Sequence, residues 1–327
     1  LSLSGIHVAG NAADDGGGVY NDGGTVNISG GTFTANMAIG ASGSGGAIFN
    51  GPGAKTTLRD VEILRNVANR AGGGIEDASG AGLGLTLSNV HFRLNNAGVS
   101  PATATPGNGG ALHITGPGDV TITGGVTQGN VAAREGGGLW NGSGTMTLHG
   151  ASISGNRAFG ESADDGGGGV FNNGGTLIIN GGVINDNHAI DGAGSGGGLF
   201  STAGAVTISE ATIMRNVANR AGGGIELIDG RLTLTEVVLG GFDLADGNVA
   251  GPEGTASPGN GGGLHVTGNA VVVIDGGVVG SNRAAREGGG LWNQSGSTMT
   301  IRNDALLDSN TASGDAADDG GGGIFNN

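Results

Sequence analysis

Short apolar stretches with a polar middle residue recur along the whole chain and predict β-strands. "TVNI" begins at residue 25, "VTIT" at 120, "MTLH" at 146 and "LTLT" at 232. This alternation is typical of a strand that buries one face. A second short apolar stretch follows, such as "VEI" at 61 or "VHF" at 90. The pattern therefore predicts an all-β chain built from many short strands.

A glycine motif, Gly-Gly-(Gly/Ala)-aliphatic, marks the period of the chain. It occurs eleven times and starts at residues 16, 45, 72, 109, 136, 167, 196, 222, 261, 288 and 321. The spacings 29, 27, 37, 27 and 31 are followed by 29, 26, 39, 27 and 33, so the series repeats after five units. The string "RNVANRAGGGIE" at 65–76 accordingly recurs at 215–226. We expect one continuous solenoid over residues 1–327, with super-repeats at about 16–166 and 167–320 and a third copy starting at 321–327.

Units of this kind predict a right-handed parallel β-helix of about eleven coils. The aliphatic residue after the glycines supplies a third short strand, and stacked coils lie about 4.8 Å apart. Left-handed helices of hexapeptides have shorter and stricter coils, whereas these units tolerate insertions of about ten residues. The chain begins and ends in mid-coil, so we expect the natural protein to continue, to be capped or to stack end to end.

An asparagine follows the second strand of every unit, in the pattern Asn-x-Ala. Identical amides one coil apart can bond to each other, since each amide offers an acceptor and two donors. We therefore predict a structural ladder formed by Asn11, Asn36, Asn66, Asn95, Asn130, Asn156, Asn187, Asn216, Asn248, Asn282 and Asn310.

Composition and charge narrow the classes of partner. The chain contains 78 glycines and only 3% aromatic residues, which alone would suggest low complexity, but the period outweighs it. The net charge of −15 argues against nucleic acid and anionic membranes as partners. The absence of cysteine excludes disulfides and thiolate metal sites. No apolar run is long enough for a membrane span.

Two motifs carry a resemblance to a known family. "GGAI" at 45–48, together with F-x-x-N in "FTAN" at 33 and "FRLN" at 92, resembles the repeat of chlamydial polymorphic outer membrane proteins and, more broadly, of bacterial secreted right-handed β-helix repeat proteins. The resemblance implies a secreted adhesin or passenger domain, located outside the cell or on the bacterial surface.

One column of residues is the strongest candidate for a binding surface. Each member follows the inward aliphatic residue and is expected to point outward. An exposed strip of this kind could stack on sugar rings or on a protein. Glu76 and His113 would lie one coil apart, as a candidate acid–base pair. The alternative is that these neighbours stack and pair for stability alone, beneath a covering loop. The column consists of Tyr20, Phe49, Glu76, His113, Trp140, Phe171, Phe200, Glu226, His265, Trp292 and Phe325.

Pairs of aspartates precede a glycine corner once in each super-repeat and are weak candidates for a Ca²⁺ site. Carboxylate oxygens suit Ca²⁺, but the spacing does not match known calcium loops, and a solvated acidic turn is the alternative. The pairs are Asp14 and Asp15, Asp164 and Asp165, and Asp318 and Asp319. No other cofactor is predicted.

Two classes of function remain open. The first is a non-enzymatic structural or adhesive protein, a stiff acidic rod that associates with itself end to end or side by side. The second is a β-helix that binds or cleaves carbohydrates, with host or matrix glycans as partners. No catalytic residue is assigned, because every candidate group recurs with the super-repeat, whereas enzymes of this fold gather such groups at one irregular place.

Overall fold

The computed structural model describes residues 1–102, 106–252 and 258–327, apart from the side chain of Leu83. These residues form a parallel β-solenoid of about eleven turns, which confirms the predicted fold class. One sheet of 29 strands and one sheet of 11 strands run along the stack. All pairings between the strands are parallel, as between Thr57, Thr86 and Thr121 in three consecutive turns.

Each turn passes through four faces in the order 1, 2, 3, 4. Face 1 consists of the longest strands: Ser2–Ala9, Thr25–Thr34, Lys55–Arg59, Gly82–Ser88, Gly118–Thr123, Thr145–His149, Val170–Asn180, Leu199–Ser209, Arg231–Thr235, Val271–Asp275 and Thr298–Arg302. The first two of these strands continue into face 2. The remaining strands of face 2 are Glu62–Leu64, His91–Arg93, Val126–Gln128, Ser152–Ser154, Val183–Asn185, Thr212–Met214, Val238–Gly240, Val278–Gly280 and Leu306–Asp308.

Face 3 is made of two-residue strands that each end in alanine: Ala12–Ala13, Met37–Ala38, Val67–Ala68, Asn96–Ala97, Val131–Ala132, Arg157–Ala158, His188–Ala189, Val217–Ala218, Val249–Ala250, Arg283–Ala284 and Thr311–Ala312. Face 4 follows the glycines: Val19–Asn21, Ile48–Asn50, Ile75–Asp77, Leu112–Ile114, Leu139–Asn141, Ile225–Ile228, Leu264–Thr267, Leu291–Asn293 and Ile324–Asn326, with Val170–Asn180 and Leu199–Ser209 beginning on this face.

The three predicted strands of each coil are therefore present, and face 3 adds a fourth. Two residues are too few to show a periodic pattern, so no strand was predicted at the Asn-x-Ala motif. The only helix among the described residues is a single 3₁₀ turn, Leu244–Asp246. It follows that no helix in the described part of the chain could span a membrane.

The core is a narrow column of aliphatic side chains enclosed by the four faces. Faces 1, 2 and 4 supply its larger side chains, such as Leu58, Phe92 and Leu112, which are at most 1% exposed. Face 3 contributes only alanine to the interior, because the glycine corner packs directly on its backbone. A Cβ added to Gly137, for example, would lie 2.5 Å from the carbonyl oxygen of Arg157. Gly136, one residue earlier, has a φ of +63°, which few other residues adopt.

The asparagines that follow face 2 lie in one continuous column. Each side-chain Nδ2 donates to the Oδ1 of the asparagine in the next turn at 2.9–3.0 Å, from Asn11 to Asn310. The same Oδ1 also accepts a backbone N–H from the previous turn, as Asn156 does from Asn130. Nine of these residues are fully buried, so the ladder satisfies polar groups that would otherwise be costly to bury.

Candidate functional site

The eleven residues of the candidate column lie one above another on face 4. The parallel register pairs Glu76 with Phe49 and His113, and it pairs His113 with Trp140. The second super-repeat repeats this order, with Glu226, His265 and Trp292 in adjacent turns. The column faces away from the aliphatic core, because it occupies the middle position of each three-residue strand.

The expectation that this column is exposed is wrong for most of its length. Tyr20 is 53% exposed, but the column from Glu76 to Trp292 is at most 8% exposed, and Glu226 is fully buried. In the buried stretch, the glycine motif and the residue just before it lie against the column, as where Glu135 bonds to Trp140. A Cβ on Gly109 would lie only 2.7 Å from the Cβ of His113, which shows how closely the backbone approaches. The alternation of side chains along a strand predicts which way a residue points, but it does not predict whether other parts of the chain bury it.

A buried glutamate–histidine pair occurs once in each super-repeat. The Nδ1 of His113 lies 2.9 and 3.2 Å from the two carboxylate oxygens of Glu76, and Thr115 also donates its hydroxyl to Glu76. In the second copy, the Nδ1 of His265 lies 2.9 and 3.0 Å from the oxygens of Glu226. The two copies therefore reproduce the same contact. This repetition is expected of a structural element that is part of the coil.

Each histidine in turn stacks on a tryptophan. The ring centroids of His113 and Trp140 are 4.2 Å apart, and those of His265 and Trp292 are 4.4 Å apart. The stack continues from Trp140 to Phe171 at 6.2 Å. Such contacts stabilise neighbouring turns by about 1 kcal/mol each beyond the burial of area.

A second glutamate, which directly precedes the glycine motif, accepts a hydrogen bond from each tryptophan. Glu135 Oε2 accepts hydrogen bonds from the Trp140 indole and from Asn108, each at 2.9 Å. Glu287, Trp292 and Asn260 form the same arrangement in the second super-repeat. Burial raises the pKa of the Glu135 carboxyl group, while the indole hydrogen bond opposes the shift. The other oxygen of this carboxyl group, Glu135 Oε1, lies 3.6 Å from Arg134 Nε.

A further polar column was missed by sequence reasoning. The third residue of each face 4 strand points inward, and in most turns it is polar. Asn21 donates to Asn50 at 3.0 Å, and Asn50 donates to the Oδ1 of Asp77 at 2.7 Å. Burial raises the pKa of the Asp77 carboxyl group. The asparagine after the aromatic residue in "GGGLWN" was the available signal.

The aspartate pairs do not assemble into a metal site in the described residues, where no group of three or more candidate ligands lies close enough to hold an ion. The second aspartate of each pair is engaged locally instead. Asp165 accepts the Nε of Arg134 at 2.6 Å, Asp319 accepts that of Arg286 at 2.6 Å, and Asp15 accepts the backbone N–H of Ser44. Asp14, Asp164 and Asp318 are exposed, as expected for the alternative of a solvated acidic turn.

The site is thus a covered network in which each glutamate, histidine and tryptophan has a bonded or stacked partner, while the Oδ1 atoms of Asn108 and Asn260 have no hydrogen-bond partner. Comparison of the chain with protein-family models, with curated proteins and with solved structures gives no match in any of the three.

Proposed function

We propose that the chain is a stiff, acidic rod segment of a non-enzymatic structural or adhesive protein, displayed outside a bacterial cell. The observation that carries the proposal is the burial of both glutamate–histidine pairs, at most 4% exposed, between stacked neighbours. A group that is covered and paired in this way stabilises the stack, and a substrate would have to displace its partners to reach it.

The extracellular assignment rests on the repeat that resembles the chlamydial family. In the solenoid, the Phe of "FTAN" is Phe33, which fills the core from face 2, and its Asn is Asn36 of the ladder. "GGAI" supplies the glycine corner and the inward Ile48. Both motifs therefore describe the coil itself, which supports a shared architecture and a role as a spacer or adhesin.

The ladder also supports assembly into filaments. Every rung donates in the same direction along the stack, so an open coil at one end offers amide donors and an open coil at the other end offers acceptors. Two such ends are complementary. The net charge of −15 opposes this contact, and salt would screen the repulsion.

Electron microscopy of the purified chain at rising protein and salt concentration tests both parts of the proposal. We expect particles of constant width and about 50 Å in length, given the coil spacing, that lengthen into filaments as salt is added. The double variant Asn11→Asp/Asn310→Asp, which places charge on the outermost rungs, should remain unassembled. Rods that never lengthen would refute assembly, and compact particles without a long axis would refute the rod.

A carbohydrate-active function is the second candidate. It receives less support from the buried column, since the Glu, His and Trp of the first super-repeat recur in the second instead of gathering at one place.

A further inference from the structure

A polar groove lies on the outside of the first four turns, where the chain passes from face 1 to face 2. Its volume is about 390 Å³, and it is lined by His7, Thr32, Asp60, Glu62, His91 and Arg93, among others. None of these residues belongs to the buried column or to the asparagine ladder. The volume falls within the range of small-ligand pockets.

Four of the lining residues form a single outward row. The register pairs His7 with Thr32, Thr32 with Glu62, and Glu62 with His91. One turn separates each pair, so their backbones are spaced by about 4.8 Å along the rod. A row of imidazole, hydroxyl, carboxylate and imidazole groups thus faces the groove.

The groove contains polar atoms without a partner in the protein. His7 Nδ1 lies 2.9 Å from the Thr32 hydroxyl, and Asn89 donates to Asp60 at 2.7 Å. In contrast, the Nδ1 of His91 and the Nε of Arg93 are buried and have no hydrogen-bond partner. The Arg93 Nε lies 3.9 Å from Glu62 Oε1, too far for a direct bond. These two nitrogens have almost no accessible surface, so a ligand in the groove would meet the exposed ends of the side chains, of which Glu62 and Arg93 are 41% and 42% exposed.

The second super-repeat provides an internal comparison. In turns six to nine, the same outward row consists of Ser152, Val183, Thr212 and Val238. Glu62 thus corresponds to Thr212, and His91 corresponds to Val238. The buried Glu–His pair is retained between the copies, whereas this polar row is not. The coil therefore does not require these polar groups for stacking.

We propose that this groove binds a neutral, hydroxyl-rich ligand, namely a hexose unit of a glycan. Glu62 and Asp60 accept hydrogen bonds, and the exposed end of the Arg93 guanidinium donates them. Glu62 and Arg93 make no direct hydrogen bond to each other, so neighbouring hydroxyl groups of a sugar can donate to the first and accept from the second. With two carboxylates and one guanidinium, the site is net negative and disfavours uronates and other anions.

This site is independent of the proposed rod function, because it lies on the outside of the solenoid and uses no residue that holds the turns together. A failure of the rod to form filaments would therefore leave it untouched.

Calorimetric titration with maltose, cellobiose and lactose tests the proposal. We expect at least one of them to bind, and digalacturonate to bind about tenfold more weakly, because the anion meets a negative site. The double variant Glu62→Thr/His91→Val should weaken sugar binding by about tenfold or more, since it removes two polar contacts. This variant carries the residues that the second super-repeat already has in the same row, so its thermal unfolding should match that of the wild type.

Two further variants test whether the loss of sugar binding is specific to this groove. Glu62→Gln keeps the shape of the side chain but removes its charge, and it should weaken sugar binding while the fold is preserved. Val238→Thr makes a small change at the matched position of the second copy and should leave sugar binding intact. The proposal is overturned if no neutral disaccharide binds, if digalacturonate binds as well as the sugars, or if Glu62→Thr/His91→Val binds like the wild type.

Discussion

Asp77 places a carboxyl group in an inward column where the two preceding turns carry the amides of Asn21 and Asn50. It is fully buried, accepts from Asn50 at 2.7 Å and from Ser79 at 3.1 Å, and has a pKa that burial raises. A raised folded-state pKa means that its contribution to stability is present below the unfolded pKa and is lost as the pH rises through the folded pKa.

The variant Asp77→Asn should therefore be more stable than the wild type at pH 7, by about 1 kcal/mol, because it removes a buried charge and keeps the acceptor for Asn50. The advantage should shrink as the pH falls through the raised pKa of the wild-type carboxyl group, which then becomes neutral. Urea unfolding at several pH values measures this difference. A variant that is less stable at pH 7 would contradict the interpretation.

His188 should produce the opposite pH dependence. Burial lowers its pKa, and the positive charge of Arg157, its neighbour in register, lowers it further. The folded state then binds fewer protons than the unfolded state, so stability falls as the pH drops below about 6.5. His188→Val, which copies Val217 of the next turn, should lose less thermal stability than the wild type between pH 7.5 and 5.5. Equal losses in melting temperature would contradict this expectation.

Some residue-scale features could not be predicted. The residue before nearly every ladder asparagine adopts a left-handed conformation, but its identity varies, as with Ala35, Arg65 and Leu94. Glycine usually marks such positions, so the sequence gives no common signal for them. The asparagine itself was predictable, because a single residue type occurs at the same place in every unit.

At the scale of one structural element, the ladder should be far more sensitive in its interior than at its exposed rung. Asn156 accepts two hydrogen bonds from Asn130 and donates to Thr127 and Asn187. Asn156→Ala would leave these buried groups unpaired and should cost about 3–5 kcal/mol, since each unpaired group costs about 1–3 kcal/mol.

The matched control is Asn11→Ala, because Asn11 is exposed and its amide has access to water. We expect a loss of about 1 kcal/mol or less for this variant. Chemical denaturation of both proteins measures the difference. Similar losses for Asn156→Ala and Asn11→Ala would show that the ladder does not hold the interior turns together.

The strands of faces 1, 2 and 4 were predictable, since they alternate or follow the glycines. The burial of the outward side chains of face 4 could not be predicted. The backbone approaches this column closely at glycines such as Gly109, and that contact becomes evident only when the folded turns are in place. The groove of Glu62 and His91 was missed for a related reason, because it joins residues from four separate units.

At the scale of the whole molecule, the period of the sequence determines the architecture. Identical positions in successive units meet in register, so a small coil with a thin aliphatic core becomes a long stack. The same repetition explains why "RNVANRAGGGIE" occurs twice: both copies build the turn that carries the ladder asparagine and the buried glutamate, Asn66 with Glu76 and Asn216 with Glu226.

Hydrogen exchange of the asparagine side-chain amides, followed by NMR, tests the in-register stack most directly. Interior rungs such as Asn95, Asn156 and Asn216 are buried and bonded on both sides, so their Nδ2 protons should exchange orders of magnitude more slowly than those of Asn11. Rapid exchange at the interior rungs, equal to that of Asn11, would contradict the account.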